Sequence, residues 1–493
     1  MKHYLGIDIG TFESKASLVD ASGNLIAFAS HPHKMQVPQP GFAEHNAVED
    51  WWGDFKRLSN RVIAESGVDP KSIKAVGASA IGPCMLPVDA DGAPLMNGVL
   101  YGVDTRASKE IAYLNTLIGE KRILDTVGNA LTSQAVGPKI LWLKNNRPDL
   151  YARTHKFINS TTYVTWKLTG RYVIDHYSAG SYSPLYMMDS NSWSARLAPE
   201  ICREDQLADL HWTTDVVGEV TVAAAAETGL AAGTPVICGT IDAAAEAVSV
   251  GVLSPGQMMV MYGSTIFIIL VADKRVSEGK LWYSPWLFPG QHGNMAALTT
   301  CGTLTHWFRD QLARDVSGKQ GTIALAQEAE ASPPGANGVV MLPYFSGMVT
   351  PLSDPNARGL IFGLNLTHTR ADIYRALLEG IALGTRHVIE AYEAAGIGPA
   401  HIEAVGGGTN NRVWSQSTSD ALGRFQQVRS KTFGASYGDA FLAALGIGDV
   451  KRDDINQWNP PARVIAPNET HRDVYAKTYT TFRALYERNK DLM

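Results

Sequence analysis

The sequence predicts an α/β fold in two lobes, and three observations predict it. Apolar runs of strand length alternate with segments whose apolar residues recur at helical spacing, the pattern of sheets flanked by helices. Two strand runs break at a glycine–hydroxyl turn and then resume, one in each half of the chain. The first breaks at Gly10-Thr11 between residues 4–9 and 16–19, and the second at Gly263-Ser264-Thr265 between 258–262 and 266–271. At 493 residues the chain is too long for one core and asks for two or three domains.

Composition narrows the function. With 45% hydrophobic and 18% charged residues the chain reads as an ordinary globular protein. A net charge of −5 with no basic block argues against nucleic acid as a partner. No apolar run reaches the length of a membrane span, and the N-terminus lacks the layout of a signal peptide, so a cytoplasmic protein without membrane contact is expected. Cys84, Cys202, Cys238 and Cys301 lie far apart with no CxxC pair, which speaks against a zinc site or a disulfide framework.

The first hairpin carries a single carboxylate, Asp8, in an apolar strand, a costly placement unless it meets a partner such as a divalent metal or caps a turn. Gly10 lets the backbone approach a ligand, and Thr11, Ser14 and Lys15 add hydroxyls and a cation suited to phosphate. A third apolar run follows at 24–29. His31-Pro32-His33 and Pro38-Gln39-Pro40-Gly41 read as surface loop. Residues 49–65 have helical spacing, and 73–79 form a strand that ends in small residues. Ligands in such folds sit at the carboxyl ends of strands, so Gly82-Pro83-Cys84 falls where a substrate could be met.

Asp104 closes a short strand at 100–104, where it either pairs with Arg106 or receives hydroxyls of a sugar. Residues 139–144 and 157–169 read as helices, the first with Trp142 toward the core. An apolar strand ends at Gly239-Thr240, and Asp242 stands before an Ala-rich helix, either as its N-cap or as a general base. In the second half, 369–392 is the clearest helix. Thr369 and Asp372 are spaced as a capping box, and Gly380 and Gly384 allow another element to come close. Gly406-Gly407-Gly408 after a strand is either a flexible loop or a flat surface for a base, with Asn410 and Asn411 offering amides. Tyr475, Tyr479, Phe482 and Tyr486 mark a docked C-terminal helix.

Other phosphate motifs drop out. Gly251–Gly256 has Walker-type glycine spacing, but Gln257-Met258 stands where Lys-Ser/Thr is needed, and no dinucleotide fingerprint follows a strand. The whole set resembles the FGGY carbohydrate kinases, in the xylulokinase-like branch. It rests on Gly6-Ile7-Asp8-Ile9-Gly10-Thr11, on 139–146, on 359–364 with Asp372-Ile373 and 376–379, and on Gly406-Gly407-Gly408 with Trp414, Gln416 and Asp420. The resemblance implies a two-domain actin-like ATPase (ribonuclease H-like) fold with an interdomain cleft. Residues 1–244 would bind the sugar and residues 245–493 would bind ATP with Mg2+. It implies Asp242 as catalytic base, Asp8 near the magnesium, and Gly10, Thr11, Lys15, Gly263, Ser264 and Gly302 around the phosphates. Gly407, Gly408 and Asn411 would lie by the adenosine. Family members are often dimers, so a homodimer is an expectation.

The pattern also departs from the family. Ile81-Gly82-Pro83-Cys84 stands where xylulokinases carry Gln-Met-His-Gly and glycerol kinases an Arg-Glu pair, so Gly82 and Pro83 offer backbone only. Tyr101-Gly102-Val103-Asp104 replaces Trp-x-Asp with one residue added, Ala243 follows Asp242 where Asn is usual, and Leu377 breaks the second signature. The expected substrate class is a sugar or polyol, with a ketopentose such as D-xylulose first. A non-catalytic actin-like switch and a phosphohydrolase are the competing classes.

Overall fold

A computed structural model describes residues 1–276 and 281–493. Two seven-stranded sheets form the two lobes. The first contains β1 (His3–Ile9), β2 (Glu13–Asp20), β3 (Leu25–Pro32), β4 (Ile73–Ala80), β5 (Val216–Glu219), β6 (Pro235–Ile237) and β7 (Thr240–Ile241). Its order is β5–β6–β4–β1–β2–β3, with β7 also beside β4. The second contains β8 (Gln257–Tyr262), β9 (Ile266–Ala272), β10 (Trp282–Pro285), β11 (His292–Leu298), β12 (His401–Val405), β13 (Gln426–Arg429) and β14 (Pro461–Ile465), in the order β10–β11–β9–β8–β12–β13–β14.

The lobes repeat one plan. A hairpin with a third antiparallel strand comes first, β1–β2–β3 and β8–β9–β11. Parallel strands then add on the far side of the first strand, β4 beside β1 and β12 beside β8. Such parallel additions require crossovers, which is why long helical segments separate those strands in sequence. Both glycine-tipped hairpins predicted from sequence form, with Ile9 opposite Ser14 and Tyr262 opposite Ile266.

The helices that matter here are α1 (Gly53–Ser66), α2 (Val136–Asn146), α3 (Ser160–Thr169), α4 (Asp242–Ser249), α5 (Gly302–Leu312), α6 (Arg370–Ala394), α7 (Arg412–Leu422), α8 (Ala435–Gly446) and α9 (Arg472–Asn489). Asp372 caps α6 by accepting the Thr369 N–H at 2.8 Å and its hydroxyl at 2.9 Å. Tyr475, Tyr479, Phe482 and Tyr486 of α9 are buried against the second lobe as their spacing predicts. Among the described residues no helix is long and apolar enough to cross a membrane.

Two helices join the lobes. A division after residue 244 falls inside α4, which leads from the first sheet to the second. From the second half, α8 returns and lies on the first sheet. A methyl group on Gly6 of β1 would sit 2.0 Å from the Ser436 carbonyl, and one on Gly77 of β4 would sit 2.4 Å from the Asp439 carbonyl. The Ser17 and Ser436 hydroxyls meet at 2.8 Å. One apolar cluster runs through this junction, from Tyr4, Val19 and Ala75 through Ala244, Val248, Tyr437 and Phe441 to Met259 and Ile269.

Candidate active site

Parallel pairing in the first sheet lines up the chemistry. Asp8 on β1 stands opposite Ser79 on β4 and opposite Lys15 on β2, and Thr240 on β7 stands on the other side of Ser79. The chain therefore turns into α4 beside the carboxyl ends of β1 and β4, and Asp242 is the first residue of that helix. Ile241 holds the N-cap position, so Asp242 is not the cap; its Oδ1 accepts the Ala243 N–H at 2.7 Å.

Four carboxyl groups gather at this point. Asp8 is buried, Asp242 and Glu246 of α4 are half-buried, and Asp439 comes in from α8 with no exposure at all. Burial raises all four. Asp242 is pushed up to about 7, with the Glu246 charge adding to the rise and the Ala243 N–H opposing it. Asp8 is held well above the usual carboxylate range by burial and then by the charge of Asp242, against Lys15 and Ser79. Asp439 is raised likewise by burial and the charge of Asp8. The Ser79 hydroxyl lies between these two, 2.7 Å from Asp439 Oδ2 and 3.3 Å from Asp8 Oδ1. Asp439 Oδ1 has no partner.

A divalent cation fits this donor set. Mg2+ in phosphotransfer sites takes one or two protein carboxylates, with phosphate oxygens and water completing its shell. Among the described residues no three acidic, histidine or cysteine side chains converge closely enough to cage a metal by themselves. Crowded carboxylates opposed chiefly by Lys15 are an environment that such an ion relieves.

The second lobe brings three predicted segments together. Met261 of β8 pairs with Val405 of β12, so the Gly263-Ser264 tip and the glycine run emerge side by side. A methyl group on Gly406, whose φ is +94°, would lie 2.6 Å from the Tyr262 carbonyl. Gly407 faces open space, so its backbone is open to close approach. Gly407–Asn410 is a turn of 3-10 helix, not a loose loop. At the hairpin tip Ser264 and Thr265 are exposed.

Three expectations change in detail. Gly302 starts α5 against the hairpin tip, but its N–H donates to Gly263 O at 3.1 Å and the Thr303 N–H donates to Ser264 O at 3.2 Å. These amides pin the tip and are not free for a phosphate. The Asn411 Oδ1 accepts the Trp414 N–H at 3.1 Å as the N-cap of α7, which leaves only its N–H2 to a ligand. Asp104 is the clearest correction. Both its oxygens are consumed by Arg106, at 2.7 to 3.0 Å, and by the Ala43 N–H at 2.7 Å, with the side chain wholly buried. Arg106 is stacked on Phe42 and Trp142 of α2. That pair is structural; the carboxylate has nothing left to offer a sugar.

Sequence reasoning missed other residues. Gly82 and Pro83 follow β4, with Gly82 against Ile241, and the polar group that the sequence reading passed over is Tyr101, in range of Thr11, Asp242 and Cys84. Burial raises its phenol, and the Thr11 hydroxyl and the Asp242 charge also act on it. Lys139 of α2 is fully buried beneath it and donates to Leu100 O and Tyr101 O at 2.5 and 2.9 Å. Asp439 carried a readable signal. It is a lone carboxylate in an apolar helical run, the same oddity that singled out Asp8. Finally, His31 and Pro32 end the edge strand β3 rather than forming a loop, as Pro is tolerated there, and the His33 ring is 5% exposed.

Residues 3–249 match the model of the FGGY family of carbohydrate kinases, N-terminal domain, and residues 258–447 match that of its C-terminal domain. A xylulose kinase of Bacillus subtilis (strain 168) is 28% identical over 497 residues, covering 100% of this chain and 98% of that protein. A ribulokinase of Geobacillus thermodenitrificans is 29% identical over 488 residues, covering 91% and 86%. The crystal structure of xylulose kinase from Rhodospirillum rubrum superposes with a TM-score of 0.93 at 29% identity, covering 100% of this chain and 99% of that one.

Proposed function

Because this chain belongs to the FGGY family of carbohydrate kinases, we propose that it transfers the γ-phosphoryl group of ATP, with Mg2+, to a hydroxyl of a ketopentose, D-xylulose first. One observation supports the assignment above the others. Asp242 opens α4 beside the carboxyl ends of β1 and β4, and burial there pushes its carboxyl up to about 7, the range in which a carboxylate can serve as a general base. It takes the proton of the attacking hydroxyl as the bond to phosphorus forms. The helix N-terminus and the Ala243 N–H hold its orientation.

The remaining residues position and neutralise, which is most of what phosphoryl transfer asks of a protein. Thr11, Lys15, Ser264 and Thr265 face the phosphates from the two tips. Asp8 would hold Mg2+, which when bound would neutralise charge at the phosphates. Gly407 and Gly408 lie against the adenosine. Tyr101 and the Gly82-Pro83 backbone line the sugar side. Four free, buried cysteines accord with a reducing cytoplasm. A coupled ADP-release assay over ketoses and polyols, with ribulose beside xylulose, tests the proposal. Sugar-stimulated turnover that disappears in Asp242→Asn is the expected result. Nucleotide binding without sugar-stimulated turnover would give the reading up in favour of a switch, and sugar-independent ATP hydrolysis in favour of a phosphohydrolase.

A further inference from the structure

The first hairpin tip is held by two histidines from elsewhere in the chain. His33 Nε2 lies 3.0 Å from the Gly10 carbonyl, and the His33 backbone N–H donates to the Phe12 carbonyl at 3.0 Å. His45 Nε2 lies 3.1 Å from the Thr11 carbonyl. The rings meet edge to face at 4.9 Å. Each carbonyl of Gly10, Thr11 and Phe12 is thus bound by one of two residues from elsewhere in the chain.

Counting hydrogens separates the two rings. The Trp51 indole N–H can only donate, and it donates to His45 Nδ1 at 3.2 Å. His45 is therefore a neutral ring with its one hydrogen on Nε2, and burial pulls it down to about 4. His33 faces an acceptor at each nitrogen. Nε2 meets a carbonyl, and Nδ1 meets Asp54 Oδ2 at 2.8 Å, with the Ser14 hydroxyl oxygen, whose hydrogen goes to Asp54, 3.4 Å from the same nitrogen. Asp54 is itself buried and also receives the Ser14 hydroxyl at 2.8 Å and the Arg57 guanidinium at 2.5 Å. A carboxylate so supplied with donors takes a hydrogen from Nδ1, and a carbonyl can only take one from Nε2. Both nitrogens carry hydrogen, so the ring is an imidazolium.

We propose that His33 is a positioning residue for the nucleotide phosphates: as an imidazolium braced on Asp54, it fixes the Gly10-Thr11-Phe12 tip and places a buried positive charge directly behind it. This inference rests on reading that tip as a phosphate site. The charged groups facing the ring are Asp54 and Arg57 of α1, Asp50 of the helical turn before α1, His45 beside it, and His31 of β3, two residues before it and 3.8 Å from Asp54 Oδ1. Burial pulls the His33 ring down, but the Asp54 hydrogen bond and charge, the Asp50 charge and the Gly10 carbonyl outweigh it and hold it above the ordinary histidine value. A raised histidine is charged below its folded value and loses that charge as pH rises through it. Nucleotide affinity therefore weakens on the alkaline side.

The test has two independent arms. Nitrogen NMR of His33 in the unaltered protein reads the ring directly, and both nitrogens protonated at pH 7 is the expected result. Calorimetric titration with MgADP between pH 6 and 9 reads the consequence in the unaltered protein, His33→Gln and Asp54→Asn. His33→Gln keeps a donor for Gly10 but no charge; it should weaken MgADP about ten-fold at pH 7 and flatten the pH dependence. Asp54→Asn should move the alkaline fall toward lower pH by about one unit or more, a displacement that a purely structural role would not produce. A singly protonated His33 at pH 7, or a His33→Gln protein that binds MgADP with unaltered affinity and pH dependence, would overturn the proposal. No arm depends on a sugar being turned over, so failure of the kinase reading and failure of this one are told apart.

Discussion

Three glycines inside helices test whether close approach of the backbone governs this fold. A methyl group on Gly438 of α8 would lie 1.9 Å from the Ala245 carbonyl oxygen and 2.9 Å from its carbon, and one on Gly380 of α6 would lie 2.3 Å from the Met341 carbonyl. On Gly384, one turn further along α6, the nearest atom is a Leu298 methyl at 3.3 Å. Replacing each by Ala gains about 1 kcal/mol of helix propensity. Against that gain, relieving a contact with rigid backbone at about 2 Å needs a helix shift of roughly 1 Å, and overpacking this severe falls at the upper end of the usual range, about 2–3 kcal/mol, leaving a net loss of about 1–2 kcal/mol. Propensity wins at Gly384, and sterics win at Gly380 and Gly438. Gly384→Ala should leave the melting temperature level or raised, while Gly438→Ala and Gly380→Ala should lower it by about 2–8 °C, at about 2–4 °C per kcal/mol for a lobe of this size. Only Gly438→Ala should also lower kcat, because α8 then pushes on the helix that begins with Asp242. Thermal unfolding beside ADP-release kinetics checks both. A Gly438→Ala protein with unaltered melting and turnover, or a Gly384→Ala protein as weakened as Gly438→Ala, would refute the reasoning.

In kinetics over pH, kcat/KM should fall about ten-fold per unit below pH 7 as Asp242 takes up its proton, while Asp242→Asn should lose about 100-fold or more at pH 8 and show no such fall on the acid side; a flat profile of the unaltered protein down to pH 5.5 contradicts the assignment. Asp439 has its folded value raised, so it retains a proton that the unfolded chain releases above about pH 4, and stability declines as pH rises from there. Asp439→Asn should remove part of that decline, and melting curves from pH 5 to 8 in chelator that stay parallel to those of the unaltered protein would exclude it. The buried Arg429–Glu403 pair, at 2.5 and 3.0 Å, joins β12 to β13; Arg429→Met should cost about 3–5 kcal/mol in denaturant unfolding, and adding Glu403→Leu should recover most of it. Tyr101→Phe should raise KM for the sugar several-fold and leave KM for MgATP within two-fold; equal effects on both would remove it from the sugar side.

How much was legible can be argued residue by residue. The two hairpins, the strand carboxylate Asp8, the Thr369–Asp372 cap and the tyrosine face of α9 are local patterns. Each is set by spacing of 2 or 3.6 residues or by a turn, and each forms as read. Asp242 was placed because its neighbours on both sides are strong local signals. Prolines around His33 mark a loop, and it does follow the end of β3, but tertiary contact gives its ring both a carboxylate and a carbonyl. Local sequence at Asp104 fits an ion pair or a sugar contact equally, and its burial against Arg106, itself stacked on Phe42 and Trp142, decides for structure.

The sequence alone determined the elements and the chemistry available to them, because hydrophobic period, turn residues and lone charges in apolar runs act over a few residues. Tertiary structure decided which groups meet. Asp439 lies some four hundred residues from Asp8 in the chain, and only glycines at the crossing of α8 with the first sheet bring the two to opposite sides of the Ser79 hydroxyl. Protonation follows from the same cause: a carboxylate's readiness to hold a proton depends on how much water and which charges surround it, and those are properties of the assembled lobes.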